Sequence, residues 1–449
     1  MKVKKVYGSA GSGKTTYLLD MIDKAMQKGM EPEDIGYISF TKVAIKEAIG
    51  RAAKKFKLPK KRFKFFRTLH SLAFYCSGSS AGSILNMTGL REFGKRYGYS
   101  LSGIIKDGLY IPRVTRDARM LTMYSAGREN GLTVQEGYVK GTMDVGEREY
   151  YTLIHRYKKF KKEKQYMDFQ DIIERAFDMP LPKFKLLLID EAQDFSPIQW
   201  KLIDRLIERA DDVYLAGDDL QALYEWRGAT SNRFIEYPAE DIKLTKSHRV
   251  PRRIQILADR WALRNIQNKL ERECEPREAD GRLITIDDIY CTDFKQKHKS
   301  YMVLACDTYY LNKLMDDLTG MGVPAELNSK KNYSKKMYDT YKKYGANKAA
   351  KYMKDLEDYK FFARCKARGL LHLLGDNVVK LSTVHGAKGA EADVVVFDTR
   401  LTRKSYNEIH TNPDNFYRKL YVAITRARET LYILYDDSEE HAYKWRKLK

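Results

Sequence analysis

Gly8-Ser-Ala-Gly-Ser-Gly-Lys14-Thr15 follows directly on the apolar run Val3 to Tyr7 and directly precedes a helix-like segment that begins at Thr16. Strand, glycine loop and helix in that order make a phosphate cradle. A polyphosphate needs several backbone N–H groups converging on it, and only glycine tolerates the left-handed, closely approached backbone this requires. The residues that would wrap the phosphates are Gly8, Ser9, Ala10, Gly11, Ser12, Gly13, Lys14, Thr15 and Thr16. The loop opens a helix whose amino-terminal dipole favours an anion. Lys14 supplies a point charge to the β/γ-phosphates, and the Thr15 hydroxyl is placed to ligate Mg²⁺.

Outward from this loop, strand-like and helix-like segments alternate. Ile35 to Phe40 reads as a buried strand, Thr41 to Ala48 as the helix after it, and Phe65 onward as another strand leading into a loop that contains His70. Such alternation implies a parallel sheet, whose ligands bind at the carboxyl edge. The apolar strand Phe184 to Ile189 ends in Asp190-Glu191-Ala-Gln193-Asp194. Downstream of a phosphate loop, Asp190 is expected to hold Mg²⁺, and Glu191 to orient or deprotonate an attacking water. Val213 to Ala216 then runs into Gly217 to Ala229, where Gln221 lies a few residues from Tyr224 and Trp226. One loop there could touch both a phosphate and a base.

The chain has 449 residues, enough for two or three domains with ample cores. Its 82 Lys+Arg against 60 Asp+Glu give a net charge of +22, which points to a polyanionic partner, nucleic acid being the usual one. The five cysteines are scattered without CxxC or Cys/His clusters, so neither a disulfide framework nor a zinc site is indicated. No apolar run reaches the length of a membrane span, and Met1 leads straight into the first strand, which leaves no room for a signal peptide. A soluble intracellular protein in a reducing compartment is expected.

Residues 82–164 break the alternation, with apolar residues at helical spacing among many Arg and Lys, and read as a helical insertion. Its end, Tyr157 to Tyr166, interleaves aromatics with lysines and is either a nucleic-acid face or a solvated helix face. In the second half, Arg282 to Ile286, Tyr301 to Ala305, Val378 to Leu381, Val394 to Phe397 and Leu431 to Tyr435 are strand-like, and Thr308 to Leu318 is helix-like. A Lys/Tyr-rich helical segment between Lys330 and Leu374 carries Tyr333, Tyr338, Tyr341, Tyr344, Tyr352 and Tyr359, for which packing and DNA stacking are the rival accounts.

Taken together these blocks resemble the UvrD/Rep/PcrA group of superfamily 1 helicases. The resemblance is carried by the phosphate loop, Phe40-Thr41-Lys42, Thr68-Leu-His70-Ser, Asp168-Phe-Gln-Asp171, the string from Asp190 to Asp194 and the run from Gly217 to Ala229. It continues through Leu244 to Arg249, Leu381 to Glu391 and Leu420 to Arg428. It implies an α/β fold of two RecA-like domains with parallel sheets. The first is residues 1–81 with 165–245, carrying the helical insertion 82–164; the second is 246–329 with 378–449, carrying a reduced helical insertion at 330–377.

The resemblance also implies roles. Arg249 and Arg426 look like the two arginines that approach the γ-phosphate, Gln221 like its sensor, and Glu391 like the acid that meets the ribose. His248 stands where the family usually stacks an aromatic on the base, and no glutamine precedes the first strand to read adenine, so ATP with weaker discrimination among nucleotides is expected. Tyr224 and Trp226, with Arg227, match residues that contact bases of a single strand. Phe40, Thr41, His70, Thr383 and His385 fall in segments that line the strand's path, a purely structural role being the rival for the two histidines.

The implied activity is a Mg²⁺/ATP-driven DNA helicase moving 3′ to 5′, acting as a monomer on single strands and single/double-strand junctions in replication, repair or recombination. The compact form is compatible with a virus-encoded enzyme working with replication or repair proteins in the host cytoplasm. The alternatives are a translocase that displaces proteins or recombination filaments with little unwinding, and, from another class, a phosphate-loop kinase or a passive DNA-binding module.

Overall fold

In the computed structural model, which describes residues 2–40, 42–101, 103–106, 109–112, 115–141, 145–223 and 231–435, the apolar runs become parallel strands. The chain divides into two units, residues 1–8 with 13–244 and residues 9–12 with 245–449.

The first unit holds β1 (Lys2–Gly8), β2 (Ile35–Ser39), β3 (Phe66–Thr68), β4 (Gly103–Lys106), β5 (Leu109–Pro112), β6 (Phe184–Asp190), β7 (Ala210–Gly217) and β8 (Glu240–Leu244). Six of these form one sheet in the order β3-β2-β6-β7-β1-β8, all parallel. Every residue of β2 is buried, as expected of a strand covered on both faces. The helices Lys14–Gln27 and Lys42–Phe56 bury Leu18, Ile22, Ile45 and Ala48 with Val6, Tyr37, Leu186 and Leu188 of the strands.

Register then places the functional candidates. Ser39 pairs with both Thr68 and Asp190, and Tyr7 pairs with Gly217, so the segments that start at Gly8, Phe40, Leu69, Glu191 and Asp218 all leave one carboxyl edge.

The insertion has a core of its own, built by the helices Met87–Tyr97, Arg116–Glu129 and Glu147–Lys164 around Phe93, Leu121, Tyr150, Leu153, Tyr157 and Phe160. One expectation is corrected here. The insertion is not purely helical, because β4 and β5 pair as an antiparallel hairpin. The sequence signal for it is Asp107-Gly108 between two short runs rich in Ile, Leu and Tyr. In Tyr157 to Tyr166 the aromatics Tyr157 and Phe160 are core and have no face to offer a base, while the lysines at 158, 159, 162 and 164 stay in solvent.

Lys161 of that stretch is buried in an ionic cluster. Arg128 meets Asp168 at 3.0 Å, Asp171 at 2.7 Å and Glu174 at 2.6 Å, while Lys161 pairs with Asp168 and Asp171. Asp168 also caps the helix Phe169–Ala176 in a reciprocal box with Asp171. Burial alone would push its carboxyl up, but Lys161 and Arg128 outweigh that and hold it well below the usual carboxylate range.

The second unit contains β9 (Lys246–Pro251) paired with β10 (Glu275–Arg277). Its main sheet is built from β11 (Arg282–Ile286), β12 (Tyr301–Ala305), β13 (Ala325–Leu327), β14 (Lys330–Lys331), β15 (Val379–Thr383), β16 (Ala392–Asp398) and β17 (Ala427–Leu434). The order is β11-β17-β16-β12-β15-β13-β14, parallel except for the last pair. The helices Lys335–Tyr352 and Leu356–Ala367 bury Met337, Phe361 and Phe362 in the same core as Val303, Leu314 and Val379. Tyr333 stacks on Phe361 with centroids 6.0 Å apart, Tyr341 packs on Phe362 at 5.8 Å and Tyr344 lies 3.9 Å from Tyr352. Packing therefore accounts for most of these tyrosines. No helix among the described residues is long and apolar enough to cross a membrane.

Arg128→Met takes the cation from Glu174 and leaves Asp168 and Asp171 to share Lys161, and is expected to lower unfolding free energy at neutral pH by about 3–5 kcal/mol, read from urea denaturation. Asp168, ionised in the fold well below the ordinary aspartate value of 3.8, contributes stability that is complete above that value and lost as the pH falls below it.

Candidate nucleotide site and strand-contacting residues

The glycine loop adopts the conformation its sequence calls for. Gly11 (φ +75°) and Gly13 (φ +83°) are left-handed, and Gly13 precedes the helix Lys14–Gln27. The Ser12 N–H donates to the Ser9 carbonyl at 3.1 Å. Ser9, Ala10 and Ser12 are buried, whereas Thr16 is exposed on the first turn of the helix. Lys14 folds back: its Nζ donates to the Gly8 carbonyl at 2.9 Å and lies 3.7 Å from Asp218 Oδ2.

Thr15 and Asp190 are brought together across 175 residues. Asp190 Oδ2 accepts from Thr15 Oγ1 at 3.0 Å and from Tyr37 Oη at 2.7 Å, and Oδ1 accepts the Glu191 N–H at 3.0 Å. Burial, and then the neighbouring Glu191 charge, push the Asp190 carboxyl up to about 6, against the pull of the Tyr37 and Thr15 hydrogen bonds. A buried carboxylate beside a hydroxyl, short of positive charge, fits a divalent cation that takes one carboxylate and completes its shell with phosphate and water.

Glu191 sits at φ +56°, ψ +41°, a left-handed conformation that a non-glycine residue holds only when its surroundings enforce it. Its Oε2 accepts from Gln193 Nε2 at 2.6 Å, and Gln193 Oε1 accepts the Asp218 N–H at 2.9 Å. Asp218 Oδ2 in turn accepts from Gln221 Nε2 at 2.6 Å. One polar chain thus runs Glu191, Gln193, Asp218, Gln221, with Lys14 beside Asp218. Gly217 makes room for it, since a Cβ there would lie 2.7 Å from Gln193 Oε1.

In the second unit Glu391 is bracketed by arginines: it pairs with Arg249 and, at 3.2 Å, with Arg428. His248 is exposed on β9. Arg426 is fully buried, and its guanidinium donates to the carbonyls of Val422 at 3.0 Å and Ala390 at 3.1 Å. Thr383 closes β15, with its Oγ1 accepting the Gly386 N–H at 3.2 Å, and His385 follows in the turn, partly exposed.

Among the strand-contacting candidates of the first unit, Phe40 packs edge-on against Phe195 at 6.0 Å. Thr41, Tyr224, Trp226 and Arg227 lie outside the described residues. His70 is not in a loop: Thr68 caps the Ser71 N–H and starts the helix Leu69–Cys76, so His70 stands on its first turn, edge-on to Phe169 at 5.5 Å. Burial lowers its pKa to about 4, so the ring is neutral at pH 7.

Sequence reasoning gave no role to Tyr37, Gln193 or Asp218, the groups that tie the site together. Gln193 and Asp218 lie inside the runs quoted above, but their partners are set by the adjacency of β6 and β7, and Tyr37 looks like one more strand aromatic.

Residues 2–243 match the UvrD/REP helicase N-terminal domain, and residues 379–434 match the UvrD-like helicase C-terminal domain. The chain is 28% identical over 282 residues to the putative ATP-dependent DNA helicase YjcD of Bacillus subtilis, covering 57% of this chain and 35% of that protein. It is 26% identical over 263 residues to the ATP-dependent DNA helicase PcrA of Leuconostoc citreum, again covering 35% of the relative. A probable DNA helicase of Mycoplasma pneumoniae aligns over 96% of this chain and 80% of its own length at 23% identity. The chain thus spans about a third of the first two relatives.

The depressed His70 makes a pH prediction. The unfolded chain binds the extra proton between its ordinary value of 6.5 and the folded value of about 4, so His70 contributes stability that is present above pH 6.5 and lost as the pH falls through that window. Urea midpoints at pH 7, 6 and 5 should show parental stability falling by up to about 1.4 kcal/mol per pH unit more than that of His70→Gln. Parallel profiles would mean that the ring is solvated.

Proposed function

Because this chain belongs to the UvrD/REP helicase family, we propose that it is an ATP-dependent translocase on single-stranded DNA that unwinds duplexes, moving 3′ to 5′ in replication, repair or recombination. The observation that carries this reading is the hydrogen-bonded chain from Glu191 through Gln193 and Asp218 to Gln221, with Lys14 alongside. It gathers a hydrolytic carboxylate, a polar sensor and a phosphate-binding lysine at one sheet edge.

In this reading the backbone N–H groups from Gly8 to Thr16 hold the polyphosphate of ATP, and Lys14 offsets its β/γ charge. Thr15 and Asp190 would hold Mg²⁺, which when bound neutralises phosphate charge. Glu191 takes the proton of a water whose oxygen bonds the γ-phosphorus as the bond to the β–γ bridging oxygen breaks, leaving ADP and phosphate. Gln221 reports the γ-phosphate to the loop that follows it. Arg249 and Arg426 supply positive charge to the transferred group, which for Arg426 means giving up carbonyl partners it now holds. Glu391 meets the ribose and His248 the base.

Phe40, Thr41, His70, Tyr224, Trp226, Arg227, Thr383 and His385 contact the strand, with stacking worth about 1–3 kcal/mol per base. We assign residues 1–81 and 165–245 to the first motor domain with 82–164 inserted, and 246–329 and 378–449 to the second with 330–377 inserted. A protein that strips other proteins from DNA without unwinding is separated from this reading by running strand-separation and protein-displacement assays side by side.

Lys14→Ala should abolish ATP hydrolysis by weakening phosphate binding, whereas Glu191→Gln should bind ATP nearly as the parent does and fail to turn over. A Glu191→Gln enzyme with parental, DNA-stimulated ATPase activity would remove Glu191 from the chemistry.

Polarity is tested on duplexes with one single-stranded tail under single-turnover conditions. The 3′-tailed substrate should open and the 5′-tailed one should stay largely intact; the reverse pattern would overturn the assigned direction.

A further inference from the structure

We propose that Glu129, which lies in the insertion and outside every segment of the ATP site, is a positioning residue for Glu191; the proposal rests on the hydrolytic reading of Glu191 given above. The helix Arg116–Glu129 ends in two buried charges, 9% and 5% exposed. Arg128 belongs to the ionic cluster. Glu129 points elsewhere: Oε1 accepts from Gln170 Nε2 at 2.9 Å, and Oε2 accepts from the Ser196 hydroxyl.

Ser196 is a junction. It caps the helix Pro197–Ile207, its Oγ accepting the Gln199 N–H at 3.4 Å while its own N–H donates to Gln199 Oε1 at 3.1 Å. A hydroxyl has one proton, and here it goes to Glu129 while a lone pair serves the helix. The carboxylate of Glu129 also lies at the positive end of that helix, where negative charge is favoured.

Between Asp190, fixed in β6, and Ser196 lie only five residues, and they have no slack. Ala192 to Asp194 form a single tight turn, with the Asp194 N–H donating to the Glu191 carbonyl at 3.0 Å. Ala192, Gln193, Asp194 and Phe195 are each at most 2% exposed, and Phe195 is braced by the Phe40 ring at 6.0 Å. With both ends pinned and the middle packed, a shift of Ser196 is taken up by the member that is already strained, Glu191 at φ +56°. Glu129 therefore sets the angle at which Glu191 leaves the sheet edge and links the insertion to the hydrolytic group.

The test measures kcat and KM for ATP at saturating single-stranded oligonucleotide, together with the urea midpoint, in Glu129→Ala, Glu129→Gln, Ser196→Ala and the Glu129→Ala/Ser196→Ala double variant. Misplacing a reacting group by about 1 Å costs roughly 10²-fold. Glu129→Ala and Ser196→Ala are each expected to lose kcat on that order with KM within about twofold of parental. The double variant should be no slower than the slower single, because both remove one link. Glu129→Gln, which keeps an acceptor for the Ser196 hydroxyl, should regain most of the rate.

Parental kcat in Glu129→Ala, full multiplication of the two losses in the double variant, or a loss that disappears when the assay is run well below the unfolding midpoint would each overturn the proposal. If Glu129→Ala does not fold, parental kcat in Ser196→Ala overturns it instead. Glu191→Gln is the control: if that variant hydrolyses ATP at the parental rate, the hydrolytic reading has failed, whereas an inactive Glu191→Gln beside a fully active Glu129→Ala removes the positioning role alone.

Discussion

The first unit's polar edge depends on one side-chain amide. Gln193 is completely buried, and it offers a donor and an acceptor on the same rigid plane. Its Nε2 holds Glu191 and its Oε1 holds the backbone at Asp218, so two loops that leave different strands are joined at fixed separation. Neither an acid nor a hydrocarbon could do this. A glutamate would present a second negative charge to Glu191, and a leucine would leave the Asp218 N–H without this partner in a dry place, at about 1–3 kcal/mol. The parallel register of β6 with β7 is what brings the two loops within reach of a single glutamine.

Much of the scaffold was legible because the parallel strands are short runs rich in apolar residues, broken only by single polar positions or, in β1, by Lys4 and Lys5. Val3 to Tyr7, Ile35 to Phe40 and Phe184 to Ile189 stand as strands in the fold, as do Tyr301 to Ala305 and Val394 to Phe397. The conformation of the glycine loop was legible for a related reason, since Gly11 and Gly13 mark left-handed backbone that other residues would strain. Two local signals were passed over. Thr68 followed by Ser71 is a cap that starts a helix where a loop was expected, and Asp107-Gly108 marks a hairpin in a stretch read as helical. Gln193, Asp218 and Tyr37 could not be recovered by periodicity at all, because what makes them matter is which strand lies beside which.

Charge follows a similar division. The +22 excess reads as one quantity in the sequence, but the fold sorts it. Arg128 and Lys161 are withdrawn from solvent and neutralised by Asp168, Asp171 and Glu174, so they hold the insertion to its unit and are lost to any external polyanion. Lys14 and Arg249 meet Asp218 and Glu391 and are partly shielded in the same way. Any long-range attraction for a polyanion is left to the exposed lysines and arginines, whose field ordinary salt screens within about 8–10 Å.

Position 191 carries a tension between endurance and work. Its backbone lies in the left-handed region, where glycine or asparagine would rest more easily than glutamate. Such strain is commonly of the order of 1–3 kcal/mol, and relieving it is an easy route to a more stable protein. A laboratory selection for thermal tolerance alone would therefore be drawn to this codon, and its winners would be sturdier proteins that lack the carboxylate of residue 191. Stability screens on this chain would then discard the proposed hydrolytic residue first.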